Sequence, residues 1–155
     1  MHIYSEQECI AANVNPKTGL ATDYLNLFNE AIMLFEMGLD MPDMAEELSE
    51  WHKRDYIQHF EKSGFEMKDV VISAYRLAPT EIRQAFDECC ETALSVFDSS
   101  IDILLSSNLN DPQALDELRS RLNEMKLLVL EMDSHIHGNA KAIEHNIQSE
   151  VDDLF

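Results

Sequence analysis

From Leu20 onward the apolar positions of the chain keep a helical rhythm. Leu20, Tyr24, Leu27, Phe28, Ala31, Leu34 and Phe35 recur at three- and four-residue steps, which predicts a helix running to about Met37. Gly38 is expected to close it, because glycine tolerates the left-handed turn at a helix end. Pro42 at a first-turn position, followed by Met44, Ala45, Leu48 and Trp51, predicts a short second helix. Asp55 with Gln58 three residues on has the form of a capping box and opens a third segment, 56–63, ended by Gly64. A fourth, about 66–77, carries Val70, Val71, Ala74, Tyr75 and Leu77. Before Leu20 the pattern is poor. The first sixteen residues end in Asn13-Val14-Asn15-Pro16 and read as an N-terminal arm that docks or frays.

The second half is more regular. From Ile82, the positions Phe86, Cys89, Ala93, Val96, Phe97, Ile101 and Leu104 keep one apolar stripe from Pro79 to the polar break at 106–110. Asp111 is a suitable N-cap and Pro112 a suitable first residue for the next helix. There Leu115, Leu118, Leu122, Met125, Val129, Met132 and Ile136 alternate steps of three and four, the spacing of a coiled-coil seam. Leu127, Leu128 and Leu130 widen that seam enough for a helix packed in a bundle. The expected fold is therefore all-α. A long antiparallel hairpin, about 79–107 and 112–137, should carry the shorter N-terminal helices in a single bundle over 17–138. Residues 139–155 are left as an acidic tail or a continuation of the last helix.

Charge narrows the partners. Thirty acidic against eleven basic residues leave a net charge of −19, spread over both halves of the chain. Such a surface favours solubility and argues against unaided binding to nucleic acid or to an anionic membrane. No apolar run approaches the ~20 residues of a membrane span, and the first residues lack the basic and apolar regions of a secretory signal, so a cytoplasmic location is expected. Cys9, Cys89 and Cys90 are odd in number and lack C-x-x-C spacing, and read as small core residues rather than as a disulfide framework.

Histidine is a frequent metal ligand and acid–base group. No histidine here follows a glutamate by three residues, the spacing of four-helix carboxylate metal sites. Glu131 and His135 stand one turn apart, and with His137 they are the candidate metal ligands. There is no Gly-x-Ser-x-Gly elbow and no Gly-rich phosphate loop, so neither a catalytic set nor a resident cofactor is expected. Eight methionines, among them Met33, Met37, Met41 and Met44, suit an adaptable interface or a core.

Two short segments carry a resemblance. His59-Phe60-Glu61-Lys62-Ser63-Gly64 resembles the His-x-x-Lys-Gly-Ser core of histidine phosphotransfer domains, with Ser and Gly transposed. By that resemblance His59 is the phospho-acceptor, on an exposed imidazole, and Lys62 the counter-charge. The tail, 147–155, is similar to the acidic amphipathic segments by which chemotaxis phosphatases of the CheZ type and some flagellar switch proteins engage a response regulator. That likeness implies docking through Val151, Leu154 and Phe155. The overall pattern is similar in style to that of small bacterial helical proteins.

The leading expectation is a non-catalytic protein-interaction module that self-associates as a dimer. Its contacts would come from the ridge of Leu115, Leu118, Leu122, Met125, Val129, Met132 and Ile136. A two-component signalling protein and a metal- or small-ligand-binding bundle are the alternatives.

Overall fold

The computed structural model describes residues 4–138 of the 155-residue chain. Its elements in order are α1 (Glu6–Ala11), a 3-10 turn (Thr22–Tyr24), α2 (Leu25–Asp40) and a 3-10 segment (Pro42–Glu50). These are followed by α3 (Tyr56–Lys62), α4 (Lys68–Leu77), α5 (Thr80–Ser106) and α6 (Pro112–His137). The fold is all-α, and no strand occurs among the described residues. An isolated antiparallel bridge joins Val14 to Ala21.

Helix ends follow local chemistry. The Asp55 carboxylate accepts from the Gln58 amide at 2.8 Å while Gln58 reaches back to the Asp55 amide, the reciprocal bonds of a capping box. Asp111 caps α6 through the Gln113 amide, Pro112 stands at its start, and Gly138 ends it with φ +77°. Pro79 is the N-cap of α5 rather than its first helical residue.

α5 and α6 pack along each other. Arg121 on α6 reaches Ser100 on α5, whereas Cys89 lies beside Glu131 and His135, so the two helices run antiparallel. α2 packs against α6, α5 and the 3-10 segment and buries Leu25, Leu27, Phe28, Ala31, Leu34, Phe35, Gly38 and Leu39. The core around the start of α2 is aromatic. Tyr24 meets Phe28, Tyr56 and Phe86 edge-on, and Tyr56 stacks on Tyr75 at 4.7 Å. Trp51 leans on Phe97 and donates its indole N–H to the Leu27 carbonyl at 2.8 Å.

The N-terminal segment, Gly38 and the segment after Pro42 add detail that the sequence pattern did not carry. Residues 5–14 do more than form an arm: Ser5 and Glu8 make a capping box for α1, and Cys9, Ala12 and Val14 are buried in the core. Six helical residues are too few to show a 3.6-residue period, which hid this element in the sequence. Gly38 lies inside α2 and does not end it. A Cβ there would stand 3.1 Å from the Ala45 Cα, so this glycine allows the returning chain to pack closely on the helix. The segment after Pro42 winds as a 3-10 helix, with Ala45 and Leu48 facing inward.

Candidate functional site

The α6 ridge is consumed inside the chain. Leu118, Leu122, Met125, Met132 and Ile136 are buried, and Leu115 and Val129 are half-buried against the same core. Their partners are α2 and α5. Five of the seven side chains thus offer little surface to a second copy: a bundle of this size uses its most regular apolar stripe to fill its own centre. The expected tail contacts Val151, Leu154 and Phe155 lie outside the described residues.

The same packing places the flanking ridge of α6 beside α5. Glu131 and His135, one turn apart, face Cys89 across the helix–helix seam. The Cys89 Sγ, a Glu131 carboxylate oxygen and a His135 ring nitrogen all lie within 4.8 Å of one another. Cys89 is buried, His135 half-buried and Glu131 exposed, so the cluster opens to solvent on its carboxylate side. Burial pushes the Cys89 thiol up to about 12, and the Glu131 carboxylate adds to the shift through its charge and by accepting the thiol hydrogen bond. His137, the third residue of the expected metal set, turns elsewhere. Its Nδ1 is 3.3 Å from Asp133 on the same helix and 2.9 Å from the Asp133 carbonyl oxygen.

Cys90 follows Cys89 by about 100° of helix and enters a different environment. It lines a cleft of about 230 Å³ with Tyr24, Asp55, Tyr56, Tyr75 and Asp87. Burial raises its thiol, too. The tyrosine hydroxyls in this cleft are committed to the fold. Tyr24 donates to the Arg54 carbonyl at 2.7 Å, Tyr75 donates to Asp87 at 2.7 Å, and the Tyr56 oxygen accepts from the Ala21 amide at 2.9 Å. Desolvation raises the pKa of all three.

His59, the phospho-acceptor by resemblance, is half-buried. Its ring packs edge-on against Tyr24 and Phe60, and its Nδ1 is buried without a hydrogen-bond partner. Desolvation, helped by the Arg54 charge, holds the imidazole below its ordinary pKa, against the opposing pull of Asp23. Lys62 is exposed one turn on. The resemblance implied an exposed imidazole, whereas this one is half-buried against the aromatic end of the core.

Apolar side chains do reach the surface on α2. Met33 is 53% exposed and Met37 half-buried, and Met41, the residue just past the helix, is 52% exposed. Glu30 and Asp40 flank the Met33–Met37 pair at three-residue steps and are exposed. No helix among the described residues is long and apolar enough to cross a membrane. No protein-family model, no curated protein and no solved structure matches the chain.

Of the sequence-predicted residues, the structure thus brings Glu131 and His135 together and separates His137 from them. The missed member is Cys89. Its place on the apolar stripe of α5 was legible, but which α6 residues it faces depends on the register between the two helices.

Proposed function

We propose that the protein is a non-catalytic interaction module that binds a basic amphipathic helix of a partner protein along the outer face of α2. One observation carries this reading: Glu30, Met33, Met37 and Asp40 share a ridge of α2, with an acid at each end of a methionine pair that is only partly covered. Methionine adapts its shape to a partner at low cost, and it is favoured on surfaces that accept helices of varied sequence. The net charge of −19 draws a cationic partner and repels an anionic one. The α6 ridge cannot serve in this way because α2 and α5 already cover it.

Fluorescence polarisation of a labelled peptide with lysine and leucine at helical spacing tests the reading. Binding is expected, weakening as salt rises, and Met33→Glu with Met37→Glu should weaken it at least tenfold. Equal binding by the double variant, or equal binding of an acidic peptide, would overturn the proposal. A second copy of the chain is the other candidate for this face. Because each copy carries −19, a dimer formed there should appear only where salt screens the repulsion. Light scattering at low and high salt separates the two occupants.

A further inference from the structure

We infer that Cys89, Glu131 and His135 form a binding site for a zinc-class divalent cation that clips α5 to α6. This stands independently of the α2 surface. The three donor atoms come from two helices and lie within 4.8 Å of one another. Around a tetrahedral zinc ion with bonds of about 2.0–2.3 Å, donor atoms stand roughly 3.3–3.7 Å apart. The remaining closure falls to the side chains of Glu131, which is exposed, and His135, which is half-buried. Two of the ligands are already spaced by one helical turn, which holds both on the face that meets α5.

The donor chemistry selects the ion. Calcium and magnesium take oxygen ligands, whereas one sulfur, one imidazole nitrogen and one carboxylate oxygen suit a borderline cation such as Zn²⁺. The thiol proton is the one the metal displaces: Zn²⁺ enters, one H⁺ leaves, and a sulfur–zinc bond replaces the S–H bond. With one thiolate and one carboxylate, the loaded site is electrically neutral. Three protein ligands leave one tetrahedral position for water or another donor. Entry is from the Glu131 side, where the cluster meets solvent.

The test is a titration of the metal-stripped full chain with Co²⁺, read by the thiolate-to-cobalt charge-transfer absorption, followed by displacement with Zn²⁺. One equivalent of Co²⁺ should produce the band and Zn²⁺ should abolish it. Cys89→Ser should remove the band, and Glu131→Gln and His135→Gln should each weaken binding at least tenfold. Cys90→Ser and His137→Gln should bind as the parent does. Far-UV circular dichroism checks that each variant is folded, and the surface changes at 131 and 135 decide the question if the Cys89 variant is not. The inference is overturned by a parent chain that gives no charge-transfer band, or by a band that survives in folded Cys89→Ser. It is equally overturned by a band that depends on Cys90, or by binding unchanged in both α6 variants.

Discussion

Thr18→Val separates shape from hydrogen bonding at the point where the N-terminal segment meets the end of α6. Thr18 is 1% exposed, and its hydroxyl donates to the Ile136 carbonyl at 2.6 Å while accepting from the Leu20 amide at 3.3 Å. Ile136 is in the last turn of α6, where carbonyls have no partner within the helix. Valine preserves the branched shape and removes the hydroxyl. The carbonyl then loses its buried donor, which costs about 1–3 kcal/mol, and the longer amide contact adds less, for a total of about 2–3 kcal/mol. In a domain of this size that corresponds to a fall in Tm of about 5–10 °C. Urea titrations followed by Trp51 fluorescence and by far-UV circular dichroism should show the midpoint moving with an unchanged slope. Thr18→Ser, which keeps the hydroxyl, should recover more than half of the loss. A Thr18→Val protein within about 0.5 kcal/mol of the parent would refute the view that this bond fastens the first twenty residues to the bundle.

Other outcomes follow from the same coordinates. Gly19 has φ +73° and a Cβ there would stand 2.7 Å from the Ala74 carbonyl oxygen, whereas Gly64 has φ +72° and open space. Gly19→Ala should therefore destabilise by clearly more than the roughly 1–2 kcal/mol of conformational strain expected for Gly64→Ala, and equal losses in denaturant titrations would contradict the close approach. With the Cys89 thiol pushed up to about 12 and Cys9 and Cys90 also raised, a disulfide-exchange reagent at pH 8 should find no fast thiol in the native protein and three after denaturation. One fast native thiol would show that the burial is wrong. Because desolvation lowers the His59 pKa in the folded state, the unfolded chain takes up its proton first as pH falls. The stability linked to His59 is thus complete above its ordinary value of about 6.5 and declines below it. The unfolding midpoint of His59→Gln should change less steeply than the parent's between pH 7 and 5.5, and an identical slope would remove the assignment.

What the sequence revealed depended on how far apart the cooperating residues lie. Asp55 with Gln58, and Asp111 with Pro112 and Gly138, act within one turn of chain, so their roles at helix ends could be read directly. The stripes of α5 and α6 extend over 27 and 26 residues, enough for the period to be unmistakable. Their occupants could not be read. An apolar ridge looks the same whether a second copy or the chain's own α2 covers it, and only tertiary packing assigns Leu118, Met125 and Met132 to the interior. Gly38 misled for a related reason: a glycine needed for close packing and one needed for a left-handed turn are the same letter. The metal candidates divide similarly. Glu131 and His135 are a pair on one helix and were visible, while Cys89 joins them only through a register set by side-chain packing.

α2 is made early and satisfied late. Half of its sixteen residues are buried; the 3-10 segment Pro42–Glu50 that covers part of them follows at once, but the rest of the cover comes from α5 and α6, the last of which ends almost a hundred residues further along. At a synthesis rate of about 5–20 residues per second, that leaves an oily helix only partly covered for roughly 5–20 s on the ribosome. During that interval the nascent chain is a natural client for a chaperone, and a pause between Asp40 and Pro112 would lengthen its exposure.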